Sequence, residues 1–174
     1  MEEKKIILII LFLFSNYAMA YDEAEVSLGL SSVTINDQVK TTKTSFQITT
    51  IEIKKYFFNE KDINIGLSIG GSLFRNETSV KSYLFYPAIF ANKYFNKYFS
   101  PEASIRIGFS FYEEKNSAAS LREDWGRYFG LGIKNYFEVN EDLSLFLSLF
   151  YQTQSFNKTS LESTTPSIGL NYSF

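Results

Sequence analysis

The side chains best suited to chemistry in this chain lack most of their usual partners. Adjacent carboxylates stand at Glu113 and Glu114 and again at Glu123 and Asp124, a spacing that elsewhere serves general acid and base pairs or holds a divalent cation. Serine is plentiful, but a serine nucleophile needs a base to take its proton. The full sequence contains no histidine and no cysteine. That double absence removes imidazole bases, thiol nucleophiles, imidazole and thiolate metal ligands, and disulfides together. Lysine and carboxylate remain as bases, and no arrangement of them singles out a nucleophile. The carboxylate pairs fall in segments that read as solvated loops, so no catalytic residue, metal ligand or cofactor is expected. A second set of ionisable residues, Glu25, Glu52, Lys54, Arg106 and Lys134, sits inside alternating apolar and polar segments. Their chemistry is mutual pairing, because an ion taken out of water is costly unless it meets an opposite charge.

The elements that position this second set are strands. From residue 21 onward eight segments alternate apolar and polar side chains, each near the length that a tilted strand needs to cross a bilayer. Residues 25–33 put Val26, Leu28 and Leu30 on one face and Glu25, Ser27, Gly29 and Ser31 on the other, since side chains alternate across a strand. Segments 63–73, 103–111 and 143–150 repeat the division, with Ile63, Ile65, Leu67 and Ile69, then Ile105, Ile107, Phe109 and Phe111, then Leu143, Leu145, Leu147 and Leu149 on the apolar face. An internal echo places the even-numbered strands: Ile53-Lys54-Lys55-Tyr56-Phe57, Ala91-Asn92-Lys93-Tyr94-Phe95 and Ile133-Lys134-Asn135-Tyr136-Phe137 each precede a short polar turn. Aligned, they set Ile51, Ile53, Pro87, Ile89, Phe129, Leu131 and Ile133 outward and Glu52, Lys54, Gly130, Gly132 and Lys134 inward, with the echoed Tyr and Phe residues at one rim as an aromatic girdle. Phe46 and Ile48 fall on the inner phase of the second strand, which predicts a bulge near Thr49 and Thr50 or packing above the membrane plane.

Composition agrees with a membrane boundary. Aromatic residues reach 18% of 174, while the net charge is only −2, with no basic field for nucleic acid. One domain fits this length. The opening residues, Glu2, Glu3, Lys4 and Lys5, then the apolar run 6–14 and Ala18-Met19-Ala20, read as a secretory signal over 1–20, leaving 21–174 as the mature domain. The apolar run is too short for a membrane helix, so any span has to come from strands.

Connections alternate in length. Turns near 59–62, 96–101 and 138–142 are tight, whereas 34–43, 75–80, 113–124 and 153–165 read as mostly longer polar loops. Long loops face outward in outer-membrane barrels, which sets both termini on the periplasmic side. The only tryptophan, Trp125, falls where the sixth strand leaves its loop and suits an interfacial anchor. Phe156 and Leu161 hint at a contact surface in the last loop.

The last residues, Ser167-Ile168-Gly169-Leu170-Asn171-Tyr172-Ser173-Phe174, alternate without a break. Ser167, Gly169, Tyr172 and Phe174 resemble the carboxy-terminal signal that the barrel-assembly machinery reads. Together with the signal segment, the eight alternating stretches and the loop asymmetry, they make the mature chain similar to the small eight-stranded outer-membrane barrels of the OmpA transmembrane-domain and OmpX type. The resemblance implies an all-β, eight-stranded antiparallel up-and-down barrel in a Gram-negative outer membrane, monomeric, with no peptidoglycan-binding domain. It implies surface adhesion, surface protection or membrane integrity, with the long loops meeting any host-surface ligand. Barrel enzymes known by family, among them lipid A acyl-modifying enzymes, phospholipases and omptin-type proteases, resemble one another in using a histidine, and this chain has none. Lys40, Lys43, Lys81, Lys115, Arg122 and Lys158 are placed to meet lipopolysaccharide phosphates and outer-membrane lipids. Two alternatives stay open: a small low-conductance pore gated by the inner charges, and a soluble secreted barrel with an apolar ligand inside.

Overall fold

The computed structural model describes residues 22–37, 41–60, 62–76, 80–115 and 121–174. The proposed signal segment 1–20 lies outside them. Eight strands follow in chain order: β1 Glu23–Asp37, β2 Thr41–Glu60, β3 Ile63–Arg75, β4 Val80–Lys93, β5 Ser100–Lys115, β6 Leu121–Glu138, β7 Leu143–Ser155 and β8 Thr159–Ser173. Each pairs antiparallel with its sequence neighbour, and β1 pairs with β8 from Glu23↔Ser173 to Asp37↔Thr159, so the sheet closes on itself. Closure removes every free sheet edge.

The strands run further than the alternation alone implies. Residues 34–37 and 41–43 belong to β1 and β2, 113–115 and 121–124 to β5 and β6, and 153–155 and 159–165 to β7 and β8. The expected long loops at 34–43, 113–124 and 153–165 are therefore largely paired ribbon, continuing the barrel beyond its apolar belt. Their Ser, Thr and Asn residues suggested loop, but Thr is β-branched and suits a pleated, half-solvated surface. The asymmetry between the two ends lies in strand length more than in loop length.

Solvent inverts the pattern along most of the strands, with no change of strand phase between the belt and the long-strand end. In the belt, Leu28, Leu30, Leu67, Ile89, Ile107, Leu131, Leu147 and Ile168 point outward and are exposed. Toward the long-strand end the apolar residues sit on the opposite parity: Val33, Phe46, Ile48, Phe74, Val80, Leu84, Tyr112 and Leu161 point inward and form one buried cluster. A strand in lipid puts its apolar side outside, whereas the same strand in water puts it inside. This accounts for Phe46 and Ile48 with no bulge at Thr49 and Thr50, where the β1–β2 and β2–β3 registers run unbroken. The bulge lies instead at Phe57, between the pairs Tyr56↔Gly66 and Phe58↔Ile65, and leaves both Phe57 and Phe58 exposed at the rim. Leu161 is buried in the inner cluster and Phe156 packs against it, so they do not form the expected contact surface. The outward apolar rows equally overturn the soluble-barrel alternative.

Aromatic rings mark both borders of the belt. Tyr83, Phe111 and Trp125 form a cross-strand ladder over β4, β5 and β6, with centroids 6.2 and 5.0 Å apart. At the other end Phe57, Phe95, Tyr98, Phe99, Tyr172 and Phe174 are exposed. Trp125 and Phe137 are twelve residues apart on β6, and a strand of that length tilted by roughly 40° rises about 30 Å, the scale of a hydrocarbon core.

Candidate functional site: the charged interior and the short-turn mouth

An eight-stranded barrel leaves an interior that side chains can fill. Here glycines make room for rings: Phe90 lies over Gly66, Tyr86 over Gly70, Phe150 over Gly132 and Phe146 over Gly169, each pair directly cross-strand. A side chain at any of these glycines would occupy the space of the ring. The rings in turn form a platform for cations. The Lys54 ammonium stands 4.6 Å from the Phe90 centroid, and the Arg106 guanidinium 3.7 Å from Phe150 and 4.7 Å from Tyr86.

Alternation brings Glu25 of β1, Glu52 and Lys54 of β2, Arg106 of β5 and Lys134 of β6 to this layer, all buried. Lys54 lies 2.6 Å from Glu25 and also bonds Glu102. Lys134 bonds Glu25 and lies 3.3 Å from Glu102 and 3.7 Å from Glu52. Arg106 donates to Glu52 at 2.5 Å, and Ser68 donates to the same carboxylate. The Tyr136 hydroxyl donates to Glu25 at 2.5 Å and accepts from Lys54 at 2.6 Å. Three acids and three bases thus pair with one another, and a fourth carboxylate, Glu23, faces Lys54 from the mouth side. Glu102 is the member that sequence reasoning missed. It stands one alternation step before Ser104 and Arg106 on the same inner face, a signal hidden because Pro101 reads as a turn. The echo likewise predicts Tyr136 in the outer girdle. It faces inward because it shares parity with Lys134, whereas Phe57 and Phe95 of the echo are exposed at the rim.

The mouth formed by the short turns is held together differently. Asp22 accepts from the Tyr56 N–H at 2.7 Å and from Lys55 at 2.9 Å. Partial burial pushes its carboxyl up, but these donors outweigh that and hold it below its ordinary value. The carboxylate pairs expected in loops lie on strands instead, with Glu113 directly opposite Glu123 and Glu114 opposite Arg122. Among the described residues no three His, Cys, Asp or Glu groups could hold a metal ion. Lys43 and Lys158 are exposed at the long-strand end, while Lys40 and the side chains of Lys115 and Arg122 lie outside the described part of the structure.

No protein-family model matches the sequence, and no curated protein matches it. Among solved structures the chain is similar to neisserial surface protein A, with a TM-score of 0.68 over 87% of this chain and 97% of that one at 11% identity. The chain has the fold of an outer-membrane β-barrel. The Escherichia coli outer membrane protease OmpT is also similar, with a TM-score of 0.52 over 88% of this chain and 97% of that one at 10% identity. At such identities the likeness is one of architecture, and a barrel of this kind hosts many roles.

Proposed function

We propose that this barrel resides in the outer membrane as a non-enzymatic surface or structural protein, delivered by a signal over residues 1–20. One observation carries the reading: the interior is filled by a self-neutralising set of charges, Glu25, Glu52 and Glu102 against Lys54, Arg106 and Lys134, with an apolar cluster stacked beyond it. Each ion already has its counter-ion, so the cluster stiffens the barrel and offers no free charge to a passing solute. The long-strand end then presents its polar outer face to the exterior, where Lys43 and Lys158 meet lipopolysaccharide phosphates or a host-surface ligand. Ser167, Gly169, Tyr172 and Phe174 serve the assembly machinery before the barrel inserts as a monomer.

Two measurements test this. Cell fractionation is expected to recover the chain in the outer membrane, with slower migration on gels after heating, and the purified barrel in planar bilayers is expected to give no unitary current. Steady channel openings that change on replacing Arg106 would establish a pore and overturn the plug.

A further inference from the structure

The short-turn mouth encloses a recess of about 340 Å³ lying outside the paired charges. Its wall carries four carboxylates, Glu23 from β1, Asp62 from the β2–β3 turn, Glu138 from the end of β6 and Glu141 from the β6–β7 turn. Among the described residues Lys97 is the one cation lining it, and its ammonium lies over the Tyr98 ring at 4.9 Å. A second observation is independent of charge. Asn171 lines the same recess, is only 4% exposed, and its Oδ1 has no hydrogen-bond partner. Buried amide oxygens are nearly always satisfied, and leaving one without a donor is costly. A ligand in the recess is placed to supply that donor.

The layout selects the ligand class. No three of these carboxylates converge closely enough for a metal ion, so the negative charge is spread round the wall and a point cation meets only part of it. A flexible chain bearing several ammonium groups meets separate carboxylates at once and still has an N–H for the amide oxygen. Tyr94 and Tyr136 add aromatic surface, which favours ammonium groups further. We infer that the recess binds a small linear polycation of the aliphatic polyamine class, with one ammonium donating to Asn171 and others held by Glu138 and Asp62.

The test is calorimetric titration of the refolded barrel in zwitterionic micelles with spermidine, run beside magnesium chloride and sodium chloride at matched ionic strength. Saturable spermidine binding is expected at physiological salt. The double variant Asp62→Asn with Glu138→Gln weakens it by about fivefold or more, as the loss of two charge contacts implies. Asparagine tolerates the positive φ of 66° at position 62, and neither site touches the inner cluster, so heat-modified migration confirms folding in the same samples. Glu141→Gln, in an exposed turn, provides an independent second variant. The inference is overturned if matched sodium chloride abolishes the heat, if magnesium displaces spermidine at equal charge concentration, or if the carboxylate variants bind as tightly as the parent.

Discussion

Glu52 has the most to lose among the inner residues. It is 1% exposed, accepts from Ser68 and Arg106, and lies 3.7 Å from Lys134. Glutamine in its place keeps the shape but strands the Arg106 guanidinium among the Phe150 and Tyr86 rings with no counter-ion. Breaking a buried pair from one side costs far more than replacing both partners with apolar residues. Glu52→Gln is therefore expected to lower stability by about 3–5 kcal/mol, read from the urea midpoint in micelles, while Glu52→Met combined with Arg106→Met stays close to the parent. Were the two variants equally destabilised, a stranded Arg106 charge would not be the cause of the loss in Glu52→Gln. At this scale the sequence shows which residues share the inner parity but not who meets whom. The partners of Lys54 come from β1, β5 and β6, and which heights coincide depends on tilt and stagger round the ring.

Apart from the β2–β3 bulge, two of the strand pairings have gaps, and the gaps share a composition. Between β4 and β5 the ladder is open from Phe85↔Phe109 to Ala88↔Arg106 with the register unchanged, Pro87 lying on one strand and Gly108 on the other. Between β8 and β1 it is open from Gly29↔Ser167 to Ser32↔Thr164, with Pro166 beside the gap. These seams stand on opposite sides of an eight-strand ring. Proline has no N–H to give the ladder, and glycine lets the neighbouring backbone come close. A Cβ on Gly108 would lie 2.0 Å from the Phe85 carbonyl oxygen and 2.8 Å from the Tyr86 Cα, both backbone atoms that no rotamer change can move away. Gly108→Ala is accordingly expected to cost about 1–3 kcal/mol and to reduce the heat-modifiable fraction on refolding. Gly71→Ala serves as the comparison, since its nearest backbone contact is a looser 3.2 Å and it should remain near neutral. Strand existence and order were legible in the alternation, whereas strand ends were not. Polar ribbon outside the membrane carries loop-like composition, and only pairing with a neighbour distinguishes it from a loop.

At the scale of the whole molecule the barrel is two proteins in one wall: a lipid-facing belt with a charged interior, continued by a water-facing ribbon with an apolar interior. The switch accounts for Phe46 and Ile48 on the inner phase of β2: of the two expectations, a bulge near Thr49 and Thr50 or packing above the membrane plane, it is the second that holds. From Phe46 to Tyr56 the parity of β2 does not change, and the solvent around it does. The height of the belt then fixes where a charge is least tolerable. Leu131 stands midway between Trp125 and Phe137 on β6, cross-strand from Ile105 and Tyr151, and faces outward. Arginine at the midplane of a lipid-facing row costs about 2–4 kcal/mol in a bilayer, falling toward zero near the interfaces. Leu131→Arg should therefore destabilise the barrel refolded into phosphatidylcholine vesicles by that amount, read from denaturant unfolding. Thr42→Arg, exposed on the water-facing ribbon, should leave the midpoint unchanged. Equal effects of the two substitutions would mean that Leu131 does not face hydrocarbon. A loss at Leu131 alone, shrinking for outward arginines placed progressively nearer Trp125, would trace the depth of the membrane along β6.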